Sequence, residues 1–256
     1  SREGDKGLDH AAMISCDVVG VPPEVLEQVR QETHKVVPDL DVSKLFISAT
    51  HTHTAPVLRR NLYVIPEGVT RADEYGLLLA QRLAQGVAAA WKARKPGSVG
   101  WGLGHAVVAY NRRASYAGGK AQMYGKTDRA DFRHLEGYED HDVNTLLAWD
   151  AQGKLLAAAV NVSCPAQEVE GRTSLNADYW HPARQLLRKR FGEELCVLGW
   201  IGAAGDQSPH LMYRKAADER MMRLRGLTRL EEIARRVDRA VEEAYEAAGQ
   251  DRHSDV

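Results

Sequence analysis

Apolar runs alternate with amphipathic stretches along the chain, and their periods predict the elements. Ala11 to Val19 is a mostly apolar run ending at Asp17-Val18-Val19-Gly20, and it reads as a buried strand. Pro22-Pro23 opens a helix at about Glu24, a favoured place for proline. Val25, Leu26, Val29, Thr33, Val36 and Val37 recur at helical spacing on its inner face, and Pro38-Asp39 closes it. The short apolar run Leu45–Ala49 predicts a second buried strand. Strand, helix, strand in this order implies a right-handed βαβ unit with parallel strands. A long helix from Asp73 to about Lys95 follows, with Leu77, Leu78, Leu83, Val87 and Trp91 toward the core.

The second half alternates in the same way. Val99 to Tyr110 is strand-like, with Trp101, Leu103, His105 and Val107 on one face. Residues 114–141 are rich in Gly, Tyr and charge, show no repeat or helix period, and read as an irregular insertion facing an active site. Thr145–Trp149 and Leu155–Val160 flank Asp150-Ala151-Gln152-Gly153 and predict a hairpin. Asp178 is placed to cap a helix from Tyr179 to Phe191. Leu195–Ile201 is the most apolar run and predicts a central strand. Residues 216–249 read as helical, with a stripe of Leu227, Leu230, Ile233, Val237, Val241 and Tyr245, and residues 250–256 are expected to fray. The pattern predicts a single α/β domain over 1–256, with a mixed, largely parallel sheet and flanking helices.

Composition narrows the function classes. The chain has 256 residues, 44% hydrophobic and 27% charged, with net charge -1. That balance gives no footprint for nucleic acid or a polybasic membrane patch, and no run reaches the roughly 20 apolar residues of a membrane span. Three distant cysteines, Cys16, Cys164 and Cys196, argue against a disulfide framework, and Cys16 and Cys196 read as core thiols.

Candidate chemistry sits at the predicted strand ends. His51-Thr52-His53 follows Leu45–Ala49 and precedes Pro56. In extended chain such a pair puts both rings on one face. Two imidazoles there either grip a metal or place one ligand beside a proton-transfer group; the bland reading is two polar residues bonded to loop backbone. Asn111-Arg112-Arg113 sits at another strand exit, where a guanidinium can hold a carbonyl or carboxylate. Gly205-Asp206-Gln207-Ser208-Pro209-His210 ends the most apolar strand, and its bland reading is an Asx turn.

The run Ser48-Ala49-Thr50-His51-Thr52-His53-Thr54-Ala55-Pro56 resembles the signature of the neutral, non-lysosomal ceramidases, which are zinc-dependent amidases. Asn111-Arg112 and Gly205 to His210 resemble two further segments of that family, in the expected order, so the similarity runs from about Met13 to about Met212. The resemblance implies a zinc cofactor, His51 as a metal ligand, and His53, Ser208 and Arg112 as catalytic residues. It implies a small-molecule or lipid-like N-acyl substrate, with no nucleic acid and no transmembrane segment. A secreted or periplasmic location goes with the family, though this chain shows no signal peptide.

The chain also departs from the family pattern. The family's second zinc-binding His has no counterpart after Leu155–Val160, where Cys164 stands nearest, with Gln167 and Glu168 just after. Cys164 either replaces the imidazole as a thiolate ligand or is a buried thiol before a Pro turn. The family's last two ligands, a Glu and a Tyr, come from downstream sequence not found here, so the chain reads as a fragment, a trimmed piece or a short paralogue. Two functions stay open. One is a zinc-dependent amidase resembling neutral ceramidase; the other is a divergent member with a different substrate or a non-catalytic binding role.

Overall fold

The computed structural model describes residues 2–4 and 7–254. The chain opens with a small hairpin of β1 (Arg2–Gly4) and β2 (Gly7–Asp9), then β3 (Ala12–Cys16), α1 (Pro23–Val36), β4 (Leu45–Ala49) and α2 (Ala72–Lys92). β5 (Gly97–His105), β6 (Tyr110–Asn111), β7 (Arg113–Tyr116), β8 (Ala121–Met123) and β9 (Phe132–Leu135) follow. The rest is β10 (Asp142–Asp150), β11 (Leu155–Val162), α3 (Trp180–Phe191), β12 (Cys196–Ile201), β13 (Gln207–Ser208), α4 (Lys215–Arg225) and α5 (Arg229–Ala248).

The main sheet has the order β12-β11-β10-β5, and the pair β3-β4 lies against β12, where Ser15 Oγ donates to Gly199 O at 2.7 Å. Helices and a mixed sheet give the expected α/β class, but among the described residues parallel pairing is confined to β3–β4 and β11–β12. The correction has a local cause. Gly153, at φ 81°, closes a tight turn between β10 and β11, and a hairpin forces antiparallel strands. β5 also runs antiparallel to β10.

The larger core packs α3 and α5 on one face of this sheet. Val143, Leu147 and Trp149 of β10 meet Ile233, Val237 and Val241 of α5 and Leu187 of α3. The approach is close because β5 alternates glycine. A Cβ at Gly102 would lie 2.5 Å from Ala244 O, and one at Gly104 would lie 2.0 Å from Ala240 O. The intervening Trp101 and Leu103 face away and are exposed.

A second core joins α1 and α2 to β3 and β4. Here the expected inner face of α2 needs correction. Leu77 and Leu78 are exposed, while Gly76, Ala80 and Ala84 are buried. Small residues let the α1 and α2 backbones come close, with Val25 packing where a Gly76 side chain would stand.

Three other expectations change. The stretch 114–141 is not wholly irregular, since β8-β7-β9 form an antiparallel sheet within it. The helical run 216–249 breaks at Gly226, whose φ of 65° ends α4; Thr228 then caps α5 by accepting from Glu231 N. Cys196 is exposed, whereas Cys16 is buried and its thiol is pushed up to about 12 by burial. Of the residues expected to fray, 255–256 lie outside the described residues. His253 is ordered against β5, exchanging backbone bonds with Val99 at 2.8 and 2.7 Å and stacking on Trp101. Among the described residues, no helix is long and apolar enough to cross a membrane.

Candidate active site

The site forms where β4 ends. Beyond Ala49 the threonines turn inward: Thr50, Thr52 and Thr54 are buried, and the last two donate to Asn176 O at 2.9 Å. His51 and His53 are left facing outward. His51 has φ 62°, a left-handed conformation uncommon for a non-glycine residue and often found at functional sites. The pair is therefore set side by side by a kink rather than by extended chain, with ring centroids 5.0 Å apart. His51 Nδ1 lies 2.7 Å from Val19 O. A carbonyl only accepts, so Nδ1 carries the proton and Nε2 keeps a free lone pair. Burial holds the His51 pKa below its ordinary value; the Val19 bond opposes this, and the neighbouring His53 ring and Arg112 guanidinium, which disfavour a second positive charge, reinforce it.

Arg112 organises the polar groups around this pair. Its guanidinium donates to Gln167 Oε1 at 3.1 Å, to Tyr124 OH at 3.1 Å and to Gly205 O at 2.9 Å. Arginine has no acceptor, so the Gln167 oxygen must face it and the Gln167 amide nitrogen must face His53 Nε2, at 2.8 Å. His53 Nε2 thus accepts, and Nδ1–H points toward Glu170 Oε2 at 3.6 Å. Tyr124 OH donates to Ser208 Oγ at 3.0 Å, and His210 N donates to the same oxygen at 3.1 Å. The His210 ring donates through Nε2 to Gln167 O at 2.8 Å. A two-residue bridge pins the frame: β6 pairs with β13, Asn111 Nδ2 donates to Asp206 Oδ2 at 2.9 Å, and Arg112 N donates to Asp206 O at 2.8 Å.

Of the five singled-out residues, His53, Arg112 and Ser208 are therefore joined by one hydrogen-bond network, and His51 lies beside it in ring contact with His53. Cys164 does not join it by any hydrogen bond. It is fully buried, its Sγ–H faces Pro165 O at 3.6 Å, its carbonyl takes Tyr179 OH at 2.7 Å, and burial raises its thiol well above the usual range. Pro165 turns the chain so that Gln167, three residues beyond Cys164, is the group that reaches His53. Ser208 is also fully buried, and its Oγ accepts from the hydroxyl of the exposed Tyr124.

Other candidates serve the frame. Asp17 pairs with Arg184 at 2.6 Å, tying β3 to α3. Asp178 has φ 53° and accepts from Val169 N and Tyr179 N, both at 2.8 Å, rather than capping α3 from the N-cap position. His181 is exposed on α3, and Arg113 pairs with Glu136 at the surface. Sequence reasoning missed Tyr124 and Glu170. Tyr124 is delivered by the β7–β8 hairpin, where its N–H donates to Arg112 O at 2.6 Å.

A zinc site needs about three protein donors and an open position. His51 Nε2 suits one donor, its ring already held through Nδ1 in the manner of metal-bound imidazoles. His53 Nε2 is taken by Gln167, and the Cys164 thiol is kept protonated by burial. Among the described residues, no group of three or more His, Cys, Asp or Glu could hold a metal ion. These residues fit one zinc ligand and not a complete zinc site.

No family model matches the sequence, and no curated protein matches it. Solved structures do. A ceramidase complexed with C2 superposes with a TM-score of 0.65 at 17% identity, over 93% of this chain and 36% of that one. Neutral ceramidase from Pseudomonas aeruginosa gives 0.64 at 17% identity, over 93% and 37%. The chain spans little more than a third of the length of these structures, and at this identity the likeness is one of fold: a ceramidase-like α/β fold.

Proposed function

We propose that the network around His51 and Arg112 is a hydrolase site for amide bonds of small-molecule or lipid-like N-acyl substrates. The observation that carries this reading is the convergence of His51, His53, Arg112, Tyr124, Gln167 and Ser208, drawn from distant segments, at the exits of β4, β6 and β11. Arg112 Nε is buried with no partner among the described residues. An amide oxygen placed against the Arg112 guanidinium would meet a donor as its charge grows, while the Tyr124 proton stays directed at Ser208 Oγ. A water or substrate group replacing the Gln167 amide at His53 Nε2 would find a neutral proton acceptor, backed by Glu170 behind Nδ1. Ser208 acts through Tyr124 by fixing its hydroxyl.

Zinc would be held through His51 Nε2, the one suitable donor among the described residues at this site. When bound, it would polarise the carbonyl and acidify water. Because the described donor set is incomplete, no step above passes through the metal.

The same incompleteness favours a second reading, in which the fold serves another substrate or only binds one. The test is zinc content of the purified and zinc-loaded protein, followed by hydrolysis of N-acyl sphingosine against short N-acyl amines. The expected result is zinc binding lost in His51→Ala and turnover lost in Arg112→Gln. Zinc without ceramide turnover would move the reading to another substrate. A chain that neither binds zinc nor hydrolyses either amide would remove the first reading.

A further inference from the structure

Helix α4 has no buried residue, so apolar packing does not hold it. Charge does: Asp218 meets Arg229 and, at 3.2 Å, Arg236, and Arg225 donates to Glu232 at 2.9 Å. A helix held off by ion pairs leaves space behind it. A cavity of about 530 Å³ lies between α4, α5 and the segment 105–110.

The charge balance of that cavity is uneven. Five arginines line it, Arg214, Arg225, Arg235, Arg236 and Arg239, against two carboxylates, Asp218 and Glu232. Glu232 is fully buried and is shared by Arg225, Arg235 and Arg236, each within 2.9 Å. Burial pushes its pKa up, but those guanidiniums outweigh burial and bring it to about 2, so its single charge is fully committed. Arg236 also donates to Val107 O at 2.7 Å and Tyr110 OH at 3.1 Å. The side chains of Arg214 and Arg239 have no ion-pair or hydrogen-bond partner among the described residues. In a chain of net charge -1, this excess is local, not a general basic surface.

We propose that the α4–α5 cavity binds a phosphate-bearing anion, taken by Arg214 at the start of α4 and Arg239 of α5, the two lining guanidiniums that no carboxylate holds. Planar guanidinium forks match phosphate oxygens in pairs, and a half-sheltered positive hollow concentrates anions. This site is separate from the Arg112 network and does not rest on the amidase reading.

Pyrophosphate is the probe, titrated calorimetrically into the full chain at low ionic strength, where screening is weak. One saturable site is expected. Affinity should fall at least about tenfold in Arg214→Gln/Arg239→Gln, the loss of charge-assisted bonds, and persist in Arg112→Gln. The double variant breaks no ion pair among the described residues, so its fold should be kept, and circular dichroism checks it. Vesicles of phosphatidylcholine with and without phosphatidic acid distinguish the source. Co-sedimentation lost in the double variant assigns a lipid headgroup, and soluble binding alone assigns a free phosphate compound. Absence of saturable binding to both probes, an unchanged affinity in the double variant, or a loss confined to Arg112→Gln would overturn the proposal.

Discussion

Two places in this molecule bring distant backbone together, and they do it by opposite means. Along the β5–α5 seam, glycines at alternate positions meet alanines a helical turn apart, and the contact is backbone on backbone. At the strand-exit rim, contact is made by side-chain hydrogen bonds, with Gln167 between Arg112 and His53 as the hinge and Arg112 Nε left unpaired. The seam is shape and carries stability. The rim is hydrogen-bond arithmetic and, in the proposed reading, carries chemistry. A change at one should leave the other nearly untouched.

The sharpest separation is expected at Arg112. Arg112→Gln removes donors to Gln167, Tyr124 and Gly205. Amide hydrolysis should fall about 10²- to 10³-fold, the usual cost of losing a donor to a developing oxyanion. Unfolding free energy should fall by about 1–2 kcal/mol, because Tyr124 and Gly205 can turn to water while the buried Gln167 Oε1 loses its donor. Equal loss of stability and activity, seen in urea titrations alongside kinetics, would merge the two regions into one.

Gly104→Ala is the converse. The added methyl would stand 2.0 Å from Ala240 O, a backbone atom that can move only with α5. Overpacking of this kind should cost about 2 kcal/mol in urea unfolding. Turnover per folded molecule should stay unchanged. A loss below about 0.5 kcal/mol would mean that α5 slides freely on the sheet and that the seam is loose.

That contrast also explains what the sequence could show. The apolar stripe of α5 follows from a period of 3.6, and the strands β4, β10 and β11 from short apolar runs and a turn signal, whereas the glycine seam on β5 was not read from the sequence. The rim has no period. His51, His53, Arg112 and Ser208 were visible because three short segments resemble a known pattern. Tyr124 was not, because its place depends on a β7–β8 hairpin hidden in a stretch rich in Gly and Tyr. Gln167 was visible only as a departure. Its part is set by Arg112, a residue 55 positions away, whose lack of any acceptor fixes which end of the amide faces His53. The Leu77-Leu78 error on α2 has a related cause: hydrophobicity favours leucine as the core face, while close helix packing favours the Gly76/Ala80/Ala84 stripe.

The finest probe of the rim is proton linkage at His51. Its pKa lies below that of an unfolded histidine, with burial the largest cause, so the unfolded chain binds the proton more tightly. The associated stability is therefore fully present above about pH 6.5 and is lost as pH falls from there through the folded value. His51→Asn tests this cleanly, because Asn tolerates the left-handed backbone that His51 occupies at φ 62° and does not titrate. Half-buried and solvent-screened, the group should contribute only a few tenths of a kcal/mol. Between pH 7 and pH 5, wild-type stability should fall by that much more than the variant's. Identical slopes would mean that solvent reaches the ring freely. The imidazole would then be as ready to protonate as any surface histidine, and the rim would lose the feature that keeps His51 Nε2 free for a metal or a proton.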